Sequence, residues 1–170
     1  MKTLRVLPLA VLLAVLSCAS RAGTLPQQAA VRRVIDGDTI EVAGGRRIRY
    51  IGINAPEVRR RVNGVWEKDP EPFGEAATAA NRRLVGGRTV RLEYDMELYD
   101  RFGRTLAYVY AAAGRGEAAK TEIFVNEALV REGFAQPMTI PPNVKYAERF
   151  RAAAEEARRS GRGLWSGAGR

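Results

Sequence analysis

The 170-residue chain has no histidine and a single cysteine, Cys18. Without imidazole there is no histidine triad, no histidine-built zinc site and no histidine proton relay. Acid–base work must fall to carboxylates, lysine, tyrosine or water. With one cysteine, no disulfide closes within the chain. A 46% apolar composition is nevertheless enough for the core of one compact domain. Acid is in deficit too: 28 Lys and Arg stand against 19 Asp and Glu, a formal net charge of +9. Most of that surplus is arginine, whose planar fork grips phosphate with two donors at once. A basic surface therefore points to a polyanionic partner, although net charge alone also serves solubility.

Internal repeats and long low-complexity tracts are absent as well. The one long apolar run, Val6 to Leu16, follows Lys2 and Arg5 and is too short to span a bilayer comfortably. It reads as an export signal, placing the protein in the periplasm or outside the cell. Two ways of processing it stay open. Val15-Leu16-Ser17-Cys18 resembles a bacterial lipobox, in which Cys18 becomes a lipid-modified N-terminus that attaches the protein to a membrane. Cleavage after Ala19 or Ala22 would instead release it. The expected organisation is a leader over residues 1–22, a short polar linker and one domain over residues 30–166, with nothing to indicate an oligomer.

The first half of that domain reads as β structure. Strands are expected at Val31–Ile35 and Thr39–Val42, a hairpin turn at Gly44-Gly45, and an alternating strand over Arg46–Ile53. That strand carries Ile48, Tyr50 and Gly52 on one face, with Arg47, Arg49 and Ile51 on the other. Arg59–Pro72 reads as a polar loop. A helix is expected over Pro72–Val85, with Ala76, Ala77, Ala80 and Leu84 inward and Gly86-Gly87 as its stop. Thr89–Tyr94 and Thr105–Tyr110 read as strands. Thr121 reads as the N-cap of a helix running to Glu132. Pro137, Pro141 and Pro142 stiffen a loop, and Tyr146–Ser160 is a last amphipathic helix with Phe150, Ala153, Ala154 and Ala157 inward. Periodicity gives α+β; five short strands with helices between them suggest a Greek-key barrel of the OB type.

Three clusters could carry chemistry. In Asp36-Gly37-Asp38-Thr39, two carboxylates across a glycine repel each other, which a cation would relieve; a capped hairpin turn explains the same residues. In Arg49 to Glu57, Asn54 and Glu57 stand where a strand ends, the usual place for reactive groups, and Pro56 stiffens the approach to Glu57. In Asp100-Arg101-Phe102-Gly103-Arg104, the arginines alone would pass as solvated charges.

Taken together these clusters, with Val125 to Arg131 and Gly163-Leu164-Trp165-Ser166, resemble the staphylococcal nuclease (thermonuclease) family in order and spacing. The resemblance implies a five-stranded OB-fold Greek-key β-barrel with three packed α-helices and a calcium-dependent cut of DNA or RNA. Asp38 then matches a metal-binding aspartate. Ala55 matches the residue lending a backbone carbonyl to the ion, and Asp36 lies next to the metal, acting through water. Arg49 and Arg104 match two catalytic arginines, and Glu57 the general base. Asn54 departs from the pattern, standing where the family has a second metal-binding aspartate. Phe102 replaces a pocket tyrosine, and 136–145 lacks the family's base-stacking tyrosines. Arg59, Arg60 and Arg61 follow Glu57 and read either as a phosphate-guiding arm or as a solvated run. The rival readings are a nucleic-acid-binding OB module without catalysis and a structural envelope lipoprotein. The first predicts loss of Arg49, Glu57 or Arg104, all of which are present, with only Asn54 leaning its way; the second predicts no chelator-sensitive activity and no salt-dependent affinity for DNA.

Overall fold

A computed structural model of the chain describes residues 24–62, 65–68, 71–114 and 121–167. The expected leader, with Cys18, lies outside them. Among the described residues no helix is long and apolar enough to cross a membrane.

Among the described residues ten strands and three α-helices follow one another: β1 (Gln28–Val34), β2 (Thr39–Val42), β3 (Arg47–Tyr50), β4 (Ile53–Asn54), β5 (Arg59–Val62), β6 (Val65–Lys68), α1 (Gly74–Val85), β7 (Thr89–Glu93), β8 (Thr105–Ala112), β9 (Glu122–Phe124), α2 (Val125–Arg131), β10 (Gln136–Pro137) and α3 (Ala147–Arg159). The main sheet runs β3-β2-β1-β7-β8-β9 and closes because β3 also pairs with β8. That closing pair is parallel, Ile48 facing Thr105 and Tyr50 facing Ala107; the other pairs around the barrel are antiparallel. The result is the expected five-stranded OB-type barrel, extended by β9 along β8. Strand β1 serves two neighbours, giving Gln28–Ala30 to β7 and Val31–Val34 to β2, with a bulge between Val31 and Arg33 that bends it around the corner.

Local chemistry explains the corners. Between β2 and β3, Gly44 and Gly45 hold positive φ, 84° and 79°, in a three-residue loop closed by the Val42 N–H donating to the Arg46 carbonyl at 2.9 Å. Inside the barrel lie Ile40, Val42, Ile48, Tyr50, Ile53, Val90, Leu92, Ala107 and Val109, all buried. Outside it, Tyr108, Phe124, Tyr146 and Phe150 form an aromatic seam joining β8 and β9 to α3, with the Tyr108 and Tyr146 rings 4.7 Å apart, edge to face. Buried Asn126 at the start of α2 donates through Nδ2 to the Ile51 carbonyl and accepts the Val109 N–H, both at 2.9 Å. It thereby fixes the bend that follows β3.

Several expectations need correction. Within the loop expected over Arg59–Pro72, β5 and β6 form an antiparallel pair with Arg59 opposite Lys68 and Arg61 opposite Trp66. The run of charged residues, Arg59 to Arg61, hid the β pairing. The helix expected from Pro72 begins at Gly74, after Phe73 at φ 68°. Its inward face is Gly74, Ala77, Ala80, Asn81 and Val85, while Ala76 is exposed. Thr121 caps no helix; Glu122–Phe124 pair with β8 first, and α2 starts only at Val125. The strand expected over Arg46–Ile53 breaks at Tyr50 and resumes as β4. Both of its faces are buried there, Arg49 and Ile51 as well as Ile48 and Tyr50. Part of the proline loop pairs as well, Gln136 with Asn54 and Pro137 with Ile53.

Candidate active site

The β1–β2 connection is Ile35 to Asp38. Thr39 returns its carbonyl to the N–H groups of Ile35 and Asp36, at 3.0 and 3.3 Å, and Asp36 Oδ1 accepts the Asp38 N–H at 3.0 Å. This side-chain-closed turn buries the second carboxylate, and Asp38 is only 5% exposed. Its Oδ2 accepts the Ala55 N–H at 2.7 Å, and its Oδ1 accepts the Thr39 hydroxyl at 3.1 Å. A turn between β1 and β2 is thereby tied to the segment that follows β4.

Arg49 reaches the same place from β3. Its Nε lies 3.1 Å from Asp38 Oδ1, its Nη1 donates to the carbonyls of Tyr50 and Ile53 at 2.7 and 2.8 Å, and its Nη2 donates to Asn54 Oδ1 at 3.0 Å. A guanidinium has five N–H donors, so one on Nη2 is left for an incoming group. Arg49 is a buried cation whose position is fully specified.

Glu57 leaves the end of this segment at the base of the β5–β6 hairpin. Its N–H donates to Glu71 Oε2 at 3.1 Å, and its carbonyl accepts the Glu71 N–H at 2.8 Å. These two bonds close the neck of the hairpin. Arg104 comes from the turn before β8, where Asp100 Oδ2 accepts its Nε–H at 2.7 Å and Asp100 Oδ1 accepts the Phe102 and Arg104 N–H groups at 2.9 Å. Among the described residues its terminal nitrogens meet no acceptor. Phe102 is 68% exposed, with the Arg104 guanidinium 5.5 Å from the ring centre.

The charges act on one another. Burial pushes the Asp38 carboxyl up to about 6; Arg49 opposes this and Asp36 adds to it. Burial also raises Asp36. Glu57 is exposed as a residue, yet desolvation of its carboxyl lifts it above the usual range. Asp38 and Glu71 reinforce that lift, while Arg49 and Arg104 pull it back. Glu57 is thus within electrostatic reach of both arginines and of the buried aspartate.

Among the described residues no three His, Cys, Asp or Glu side chains gather as a metal cluster. What is present is a pair of carboxylates, both held above their usual range by burial, beside the amide oxygen of Asn54. That set fits a hard, oxygen-seeking cation: a positive charge relieves two crowded carboxylates, and every side-chain donor is oxygen. One neutral oxygen in place of a carboxylate fits a loosely held ion better than a tightly held one.

The structure gathers Asp36, Asp38, Arg49, Asn54, Ala55, Glu57 and Arg104 at one edge of the barrel, with Phe102 on the rim. Arg59, Arg60 and Arg61 are the first three residues of β5, which begins two residues after Glu57. Sequence reasoning quoted Asp100 but gave it no task; a turn opening on Asp four residues before Arg104 was the available signal. Glu71, Tyr50 and Asn81 were missed altogether, since no local pattern links them to the site.

The family profile described as "Staphylococcal nuclease homologue" matches residues 47–167, which include Arg49, Asn54, Glu57 and Arg104; Asp36 and Asp38 precede it. The chain is 38% identical over 139 residues to the "Thermonuclease" of Staphylococcus hyicus, covering 80% of this chain and 74% of that protein. It is 37% identical over 138 residues to the "Thermonuclease" of Staphylococcus intermedius, covering 79% and 74%. The "Endonuclease YncB" of Bacillus subtilis is 35% identical over 142 residues, 81% of this chain and 61% of that protein. With a profile match over most of its length and relatives at this identity, the chain belongs to the staphylococcal nuclease family.

Proposed function

We propose that the protein is an exported, calcium-dependent nuclease that hydrolyses phosphodiester bonds in DNA or RNA, with Glu57 as general base and Arg49 and Arg104 as phosphate-binding catalytic cations. Family membership and relatives named thermonuclease and endonuclease support the nuclease reading. The residue roles rest on the bonds that gather Asp38, Arg49, Asn54 and Ala55 just ahead of Glu57 in the chain, with Arg104 anchored at the start of β8, the strand that pairs with β3. Export rests on the Lys2–Leu16 segment, and membrane attachment through Cys18 on its lipobox-like setting.

Water attacks phosphorus, a P–O bond forms, and the water proton passes to Glu57. Its raised pKa makes that carboxylate a better base than an ordinary glutamate. Negative charge grows on the non-bridging oxygens as water adds; the ester P–O bond then breaks, and its oxygen takes a proton from solvent water and leaves as a sugar hydroxyl. Arg104, anchored by Asp100 through Nε, presents its terminal nitrogens to those oxygens, and Arg49 offers its remaining Nη2 hydrogen. Asp38, Asn54 and the Ala55 carbonyl would hold calcium, with Asp36 acting through water. When bound, the ion supplies charge neutralisation at the phosphate. Phe102 offers a ring to a base, and Arg59, Arg60 and Arg61 guide the strand towards Glu57.

The test is incubation of purified protein with single-stranded DNA and with RNA, first with calcium and then with an excess of chelator. Cutting that appears with calcium and stops with chelator is expected. Salt-dependent binding without cutting would replace the nuclease reading with a non-catalytic nucleic-acid-binding module. Cutting indifferent to chelator would remove calcium from it.

A further inference from the structure

We propose that one face of α1, made by Gly74, Ala77 and Asn81, is a template that fixes where Glu57 sits relative to the Asp36–Asp38 turn, and that Asn81 is a positioning residue for that turn. The inference rests on the nuclease reading above. It concerns residues that touch neither the phosphate nor the ion.

Positions 74, 77 and 81 share one side of a helix, spanning about 10 Å along its axis. Each meets a different part of the site. At Gly74 a Cβ would stand 2.5 Å from the Glu57 carbonyl oxygen and 3.3 Å from that of Pro56, so the first turn of α1 lies directly against the Glu57 backbone. One turn on, the Ala77 Cβ faces Gly37, where an added Cβ would stand 2.8 Å from it and 2.5 Å from the Ala55 Cβ. The Asp36–Asp38 turn is therefore wedged between α1 and the Ala55 segment. One further turn on, Asn81 donates through Nδ2 to the Asp36 carbonyl and accepts the Tyr50 hydroxyl through Oδ1, both at 2.9 Å.

The choice of residue is informative. Asn81 is 0% and Tyr50 1% exposed, in a region otherwise lined by Ala77, Ala80 and Val85. A helix that had only to pack would carry alanine or leucine there, since a buried amide is costly unless bonded. Here each end of the amide has a partner, and both partners belong to the site: the backbone of Asp36, and the residue following Arg49 in β3. The chain Tyr50–Asn81–Asp36 thus joins β3, α1 and the β1–β2 turn through the interior. The Glu71 clasp on Glu57 completes the other end. Because the helix is rigid, the base and the turn cannot drift independently.

The experiment compares full-length wild type with Asn81→Leu, Tyr50→Phe and Gly74→Ala. Calcium binding is measured by calorimetry without nucleic acid, kcat and KM on single-stranded DNA with calcium, and the thermal midpoint on each protein. Asn81→Leu is expected to weaken calcium binding about tenfold, as loss of a residue supporting a ligand does. Tyr50→Phe, which keeps the Asn81–Asp36 bond, should do so by less. Gly74→Ala should leave calcium affinity unchanged while kcat falls on the order of 10²-fold at similar KM, because its Cβ displaces Glu57 and not the turn. Should Asn81→Leu fail to fold, Tyr50→Phe carries the calcium comparison. The template is overturned if folded variants at 81 and 50 bind calcium like wild type, or if all three lose activity only in step with their thermal midpoints. A wild type that neither binds calcium nor cuts overturns the nuclease reading itself, a distinguishable result.

Discussion

Arg49 and Arg104 carry the same charge and are held in different ways, so their removal should look different. Arg104 is anchored by one carboxylate on a half-exposed turn. Arg104→Ala should lower kcat on the order of 10²-fold or more with the fold intact, the cost of losing one donor to a developing oxyanion. Steady-state kinetics beside circular dichroism checks this, and a near-wild-type kcat would remove Arg104 from the mechanism. Arg49 is the buried partner of Asp38 and ties off two backbone carbonyls. Arg49→Ala should therefore lose activity and also about 3–5 kcal/mol of stability, because it strands a buried carboxylate. Chemical denaturation with and without calcium measures that loss. Asn54 is a third residue-scale case. Its amide oxygen accepts from Arg49 and brings no charge of its own, so Asn54→Asp should tighten calcium binding. Equal calorimetric midpoints for the two proteins would show that residue 54 is no ligand.

Among the elements, β7 and the segment entering α3 are joined by one carboxylate. Glu93 Oε1 accepts from Lys145 Nζ at 2.7 Å and from the Tyr146 hydroxyl at 2.9 Å. Burial alone would raise the Glu93 pKa, but the bonds from Lys145 and Tyr146 outweigh it and hold the group below its ordinary 4.5. For a carboxylate lowered on folding, the stabilisation is present above about 4.5 and is lost as pH falls through the folded value. Glu93→Gln should thus cost no more than about 1 kcal/mol at neutral pH, the pair being partly exposed, and the gap to wild type should close as the pH falls below 4.5 and through the lowered folded value. Thermal melts across pH 3–7 decide it; a gap that stayed constant would mean the cost is packing. The strands and the last helix were largely legible in sequence, because Ile48, Tyr50, Val90, Leu92, Phe150 and Ala153 repeat at the period of their element. The β5–β6 hairpin was not. Its two strands, Arg-Arg-Arg-Val and Val-Trp-Glu-Lys, show no one-sided apolar alternation to read.

At the scale of the whole molecule, a formal charge of +9 should make binding to single strands strongly salt-dependent. If Arg59, Arg60 and Arg61 each meet a phosphate, replacing all three with serine should reduce the slope of log affinity against log salt by up to about 2. Titrations at several salt concentrations read the slope directly, and an unchanged slope would mark the triple as ordinary surface charge.

The sequence by itself determined the absence of histidine chemistry, the basic character, the α+β alternation and, through motif order, the family. These are carried by residue type and short spacing, which survive without coordinates. Only the tertiary structure decided that Asp38 and Arg49 form a buried pair, and that α1 lies against both Glu57 and the Asp36–Asp38 turn. Those contacts join positions as far apart in the chain as Asp36 and Asn81. They exist because the closure of β3 on β8 and the packing of α1 against the barrel bring them together, and no local pattern records that closure.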